Sequence, residues 1–278
     1  SLCFYEGSVD YLLRDPGQGI LNANLFCLDL AYIAQEVYEM QNEFSPLWYE
    51  TFSQPITRAH TENEVAFIRR HMPPSRFPRL LDLCCGRGRH SRSLLAAGYR
   101  VLGIDNNLDA INQARTSAQS HSSFQALDMR QLHCLEGTFN GIVNLWYSFG
   151  YFDGPTNAAI LKAIYNKLRP EGRFIIDLYN RDAAKTLPEH EESPRGDIHF
   201  ATRRHWRENR LRVEIAYSTG AVDSFEWELY TPSEFQELAA SMGLRAILRC
   251  AWFDDDLPPS AEHLRMQFVC EKQQDHPL

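Results

Sequence analysis

From residue 79 to residue 180 this chain alternates short apolar runs with stretches of helical spacing: "RLLDLCC", "SRSLLAAG", "YRVLGID", "LDAINQARTSA", "FQALD", "FNGIVNLW", "TNAAILKAIYNKL" and "GRFIIDLYN". Strand, helix, strand, helix requires crossover connections, and crossovers produce a parallel sheet with helices on both faces. The expected fold is therefore α/β, a Rossmann-like, doubly wound seven-stranded sheet, with five strands from this stretch and two from the carboxyl end. Gly98 and "RPEG" (169–172) stand where helix C-caps belong.

Outside that rhythm the pattern changes. Residues 23–41 have helical spacing without Gly or Pro, after a turn at "DPGQG" (15–19), and "SPLWYETFSQP" (45–55) reads as a short aromatic helix closed by Pro55. In "TENEVAFIRRHM" (61–72), Thr61 and Glu64 have the spacing of a capping box. Residues 181–230 carry a polar segment and then β-rich runs, with "ENR" and "STGAVD" as hairpin turns, which predicts an antiparallel insertion. "TPSEFQELAASMG" starts a helix at Thr231 with Glu234 completing a capping box, and Gly243 ends it; two strands follow. The expected organisation is a helical amino-terminal cap (1–60), a cofactor-binding core (61–180), the β insertion (181–230) and a carboxyl-terminal helix and strands completing the core sheet (231–278).

Composition narrows the function classes. A formal charge of −8 repels a polyphosphate partner, so nucleic acid is not expected. Seven cysteines are an odd number, and none falls in a zinc-type C-x₂-C pair, which fits reduced thiols and no metal. Without an apolar run of about 18 residues or a secretory leader pattern, the expectation is a cytoplasmic protein with no membrane partner, monomeric or homodimeric.

The turn after the first strand, "LLDLCCGRGRHS" (80–91), is where a doubly wound sheet places a ligand. Gly86 and Gly88 remove side chains there, and Asp105, at the end of the second strand, can accept from ribose hydroxyls. These features suit NAD as well as S-adenosylmethionine. Three details favour the latter: Ser91 occupies the place of a third glycine, the Asp82 carboxylate would repel a pyrophosphate but can hold an ammonium, and Asp128 can accept from an adenine amino group flanked by Leu127 and Met129.

With "VLGIDNN", "FQALDMR", "GIVNLWYSFGYFD" and "LRPEGRFIIDLYN", the turn resembles class I S-adenosylmethionine-dependent methyltransferases, in particular a bacterial small-molecule-type branch. "WELYTPSEFQELAASMGL" and "RMQFVCEK" extend the resemblance to the carboxyl end. It implies Asp82, Cys84, Gly86 and Gly88 around the methionine end, Asp105 and Asn106 at the ribose, Asp128 and Met129 at the adenine, and Asn144 where cofactor and acceptor meet. It also places Arg58 near the cofactor carboxylate and Tyr49 in the same preceding segment. Cys84 departs from the family, which commonly has glycine there.

Methyl transfer needs in-line positioning, a dry site and an acceptor freed of its proton. Aromatic faces stabilise a sulfonium, and rings cluster at Trp48, Tyr49, Trp146, Tyr147, Phe149, Tyr151, Phe152 and Tyr179. Tyr147, Tyr179 and His60 are the catalytic candidates. Trp48, Tyr151 and Asn180 are the acceptor candidates, each set against a plainer packing or turn role. Cys84 and Cys85 precede a helix start but lack a base or further ligands. "NLWY" (144–147) lacks both prolines of the nucleic-acid amino-methyltransferase motif.

The expected function is methylation of a nitrogen or oxygen of a small metabolite, with S-adenosylmethionine as cofactor. Two alternatives share its pocket. One is cyclisation of the cofactor's aminobutyryl chain to azetidine-2-carboxylate with release of methylthioadenosine; the other is binding without turnover.

Overall fold

The computed structural model describes residues 42, 44–53, 56–116, 123–195 and 198–273. The helix expected over 23–41 and the turn at 15–19 lie outside the described residues. Ser45 caps a short helix at Pro46–Trp48, which runs into a π-helical turn at Tyr49–Ser53.

The first long helix, α1, is Arg58–His71. Its cap differs from the expected one: Thr57 is the N-cap and accepts from the His60 N–H at 3.1 Å. Thr61 lies one turn inside, where its hydroxyl accepts from Arg89, and Glu64 is drawn into the interior instead of folding back onto a helix start.

The expected alternation then follows: β1 (Arg79–Leu83), α2 (Arg89–Ala96), β2 (Arg100–Asp105), α3 (Leu108–Thr116), β3 (Ser123–Ala126), β4 (Phe139–Asn144), α4 (Gly154–Lys167) and β5 (Leu168–Tyr179). β1 and β4 are almost wholly buried, as strands covered by helices on both faces must be, which is why they read as continuous apolar runs. Two boundaries shift. β3 stops at Ala126, and Asp128 caps a 3₁₀ turn at Met129–Cys134 instead of ending the strand. "RPEG" is not a helix cap: β5 starts at Leu168, and Glu171, not Gly172, carries a positive φ of 57°. Gly98 does follow α2 with φ 96°, as a C-cap glycine should.

A short helix α5 (Arg181–Ala184) leads into β6 (His190–Arg195), β7 (Ile198–Arg207), β8 (Arg210–Tyr217) and β9 (Val222–Glu228). These form a separate antiparallel sheet in the order β6-β7-β8-β9. Its turns use Glu208 (φ 57°) and Gly220 (φ 87°), within the two predicted hairpin segments. The apolar face, with Leu211, Ile215, Phe225 and Trp227, packs against Trp48, Phe52, Tyr151 and Tyr179.

The chain returns through α6 (Pro232–Ser241), with the complete Thr231–Glu234 capping box, to β10 (Leu244–Ala251) and β11 (Arg265–Lys272). The main sheet has seven strands in the order β10-β11-β5-β4-β1-β2-β3. Pairings from β3 to β5 are parallel, and β11 is antiparallel to both neighbours. Strand order reverses between β1 and β4, so the crevice lies beyond Leu83 and Asn144.

Candidate active site at the carboxyl edge of the sheet

The glycine turn places three left-handed residues in five positions: Cys84 (φ 63°), Gly86 (φ 53°) and Gly88 (φ 74°). Cys84 thus keeps the conformation a glycine adopts more cheaply, at a cost of about 1–2 kcal/mol. Asp105 clasps the turn. Its Oδ2 accepts from the Gly86 N–H at 2.8 Å, and its Oδ1 accepts from the Asn107 N–H at 2.9 Å. A Cβ on Gly86 would meet nothing nearer than the Tyr49 hydroxyl at 3.8 Å, so that face of the turn is open. Gly88 is different: a Cβ there would strike the Phe124 ring at 2.8 Å, so packing already demands a glycine at this position.

Asp82 is buried beneath the turn, and its Oδ2 accepts the Ser91 hydroxyl at 2.6 Å. Burial raises its pKa against the opposing pull of His90 and Ser91. Ser91, where a dinucleotide fold has glycine, therefore anchors this carboxylate. The Cys84 and Cys85 thiols are pushed up by burial and by Asp82 and Asp105, so neither is a thiolate nucleophile.

At the next strand ends, Asp128 caps the 3₁₀ turn and pairs with Arg130 at 2.7 Å. Met129 is buried, its sulfur 4.0 Å from that of Cys84. Asn106 is exposed beside Asp105. Asn144 donates to the Leu83 carbonyl at 2.9 Å, while its buried Oδ1 has no partner. An open glycine face, a carboxylate at the end of β2 and an orphaned buried amide oxygen form a cradle that fits a nucleoside with a polar tail.

The opposite wall is the turn after β4. Trp146 and Tyr147 are consecutive left-handed residues (φ 64° and 61°), a strained arrangement that needs outside support. Asp177 accepts from the Trp146 backbone N–H at 3.1 Å, Glu64 from its indole N–H at 2.9 Å, and the Trp227 indole donates to the Tyr147 carbonyl at 3.0 Å. The Tyr147 ring lies on Tyr179 with centroids 3.7 Å apart and planes 11° from parallel. Trp227 meets Tyr179 edge-on at 5.9 Å and Tyr151 at 5.8 Å. Burial pushes the Tyr147 and Tyr151 phenols well up and Tyr179 to about 12. At neutral pH all three are neutral phenols: they offer faces and hydrogen bonds, not a phenolate base.

Glu64, Asp177 and Arg265 hold this wall, and sequence reasoning assigned none of them to the site. Glu64 Oε2 accepts from Arg89 and His90, both at 2.7 Å, and its Oε1 from Arg265 at 3.1 Å. Burial opposes its charge, but His90, Arg89 and Arg265 outweigh it and hold the carboxyl well below the usual range. Arg265 also binds Asp177 at 2.5 Å, and its guanidinium stands 5.2 Å from the Tyr147 ring centre and 5.6 Å from that of Trp146. The signal was a charge inside an apolar pattern: Glu64 one turn before Ile68, Asp177 within "FIIDLY", and Arg265 opening "RMQFVC".

His60 lies at the rim of this network, its Nε2 3.3 Å from Arg265 and 3.2 Å from Glu64. Arg58 points outward, 90% exposed and paired with Glu62 at 2.6 Å, so the structure does not bring it to the cradle. Asn180 is buried and spent on the fold, donating to the Ser260 carbonyl at 2.7 Å and accepting from the Asp182 N–H. Trp48 packs edge-on against Phe44 and Tyr49. Tyr49 is buried over the turn, with the Arg87 guanidinium 4.1 Å from its ring centre. Among the described residues, no group of three or more His, Cys, Asp or Glu side chains could hold a metal ion.

Residues 80–172 match the methyltransferase domain family. The chain is 26% identical over 208 residues to "Putative methyltransferase YqeM" of Bacillus subtilis (strain 168), covering 70% of this chain and 84% of that protein. A glycine/sarcosine N-methyltransferase of Halorhodospira halochloris is 28% identical over 131 residues, 45% of this chain and about half (48%) of that protein. Among solved structures, an S-adenosylmethionine-dependent methyltransferase from Clostridium acetobutylicum ATCC 824 superposes with a TM-score of 0.70 at 13% identity, over 82% of this chain and 97% of that one.

Proposed function

We propose that this chain, whose core matches the methyltransferase domain family, is a class I S-adenosylmethionine-dependent methyltransferase that methylates a small-molecule acceptor, at an amine nitrogen in preference to an oxygen. The observation that carries this reading is the pairing of two walls: the open Gly86 face clasped by Asp105, and the neutral Tyr147–Tyr179 stack beyond β4. S-adenosylmethionine, when bound, supplies an electrophilic methyl group on a sulfonium. Gly86 would admit it, Asp105 would accept from its ribose, Asp128 and Met129 would flank its adenine, and the free Asn144 Oδ1 would take a donor.

The aromatic wall orients the acceptor and excludes water, and its faces favour cationic groups, including an ammonium product. With the tyrosines held neutral, the acceptor enters as its free base. The rate is then expected to rise with pH through the acceptor's own pKa. The N-methyltransferase named among the relatives supports nitrogen as the target. The −8 charge supports a small acceptor over a nucleic acid, and no helix among the described residues is long and apolar enough to cross a membrane. A cytoplasmic monomer or homodimer completes the proposal.

The test is incubation with S-adenosylmethionine and a panel of small amines and hydroxyl compounds, identifying both products by mass spectrometry. The expected result is adenosylhomocysteine formed only with an acceptor, together with its methylated form. Methylthioadenosine produced from the cofactor alone would overturn the proposal in favour of cyclisation, and tight binding without turnover would overturn it in favour of a binding protein.

A further inference from the structure

We infer that Arg87, inside the glycine turn, is the residue that pairs with the carboxylate of the cofactor's amino-acid tail, a task the family resemblance had placed on Arg58. The inference rests on the reading of S-adenosylmethionine as cofactor. The other arginines around the cradle are engaged: Arg58 with Glu62, Arg89 with Thr61 and Glu64, Arg130 with Asp128, and Arg265 with Asp177 and Glu64. Arg87 has no carboxylate partner among the described residues, and its Nε is buried without a hydrogen bond. A guanidinium held without a counter-charge gains from charge-assisted hydrogen bonds, so a carboxylate delivered by a ligand would be stabilising.

The position of the group is fixed. Arg87 lies between Gly86 and Gly88, and its own carbonyl accepts from Arg92 at 2.6 Å, which ties its backbone to α2. Its guanidinium lies 4.1 Å from the centre of the Tyr49 ring. The hydroxyl of that same tyrosine stands over the open Gly86 face. Stacking holds the planar fork at the edge of the cradle, where its two terminal Nη groups, and not the buried Nε, suit bidentate capture of a carboxylate. Arg58, on the exposed start of α1, has no such support.

Calorimetric titration of the wild-type chain, Arg87→Met and Arg87→Lys with two ligands tests this. One is S-adenosylmethionine; the other is methylthioadenosine, which shares the nucleoside and sulfur but lacks the amino-acid tail. Arg87→Met is expected to weaken S-adenosylmethionine about 10- to 100-fold and to change methylthioadenosine less than about threefold. Arg87→Lys should recover part of the loss, because a point charge replaces the fork. Equal weakening of both ligands would overturn the assignment in favour of a loop-shaping role, and so would no weakening of either. A wild-type chain that binds neither ligand would instead defeat the cofactor reading, and this inference with it.

Discussion

The two walls of the crevice are built in different ways. The wall proposed for the cofactor is local: Cys84, Gly86 and Gly88 lie within five residues, and the clasp that closes on them comes from the next strand. The wall proposed for the acceptor is assembled from distant parts of the chain, with Trp146 held by Glu64 and Asp177, and Arg265 joining both. Backbone conformation shapes the first wall, and buried charge stabilises the second. On the proposed function, the first would bind a constant ligand with few side chains, whereas the second would change its acceptor by altering rings without disturbing the cofactor.

The largest effect is expected where the two constructions meet. Glu64 reaches Arg89 and His90 of α2 on one side and Trp146 on the other. Glu64→Gln leaves the buried Arg265 and the partly buried Arg89 short of a counter-charge, and should cost about 3–5 kcal/mol of stability, read by denaturant unfolding. Because this carboxyl is held low in the folded state, its contribution is complete above the ordinary value of 4.5 and fades as pH falls below it. The wild-type chain should therefore lose stability on acidification more steeply than Glu64→Gln does. An equal slope in both would break the link between the walls.

Asp105→Asn separates the walls by damaging only the first. An amide cannot accept from both the Gly86 and Asn107 N–H groups, so the S-adenosylmethionine Kd should rise about 10- to 100-fold while the KM for the acceptor stays nearly constant. Tyr179→Phe touches only the second wall. It retains the stack on Tyr147 and removes a phenol that is neutral at working pH, so kcat should fall less than about tenfold with an unchanged pH profile. A loss of several orders of magnitude would identify this phenol as the base. Arg58→Ala should change neither wall, because an exposed i,i+4 pair contributes under about 0.5 kcal/mol; equilibrium dialysis with the cofactor checks this.

The same division explains what the sequence revealed. The alternating core, the meander insertion and the α6 cap were legible because periodicity and turn residues are local signals. So was the glycine turn, with Asp105 at the end of the next strand to clasp Gly86, which a strand–turn–helix frame places without side-chain detail. The packing demand at Gly88 was not legible, because its collision with Phe124 joins residues that only the folded sheet makes neighbours. Thr61 and Glu64 mimicked a capping box because three-residue spacing also brings a buried helix position to the interior. Asp177, Arg265 and Trp227 could not be assigned: their roles depend on which strands and sheets become neighbours. Arg58 and Asn180 were plausible from position alone, and the structure gives them solvent and a helix cap.

The most direct test of the central claim is a crystal structure of the chain with S-adenosylhomocysteine, the product of methyl transfer. The expected density places the ribose at Asp105, the adenine beside Asp128 and Met129, and the sulfur facing Tyr147 and Tyr179 across the crevice. Density outside the Gly86 turn, or a sulfur turned away from the aromatic wall, would contradict the division into cofactor and acceptor sides.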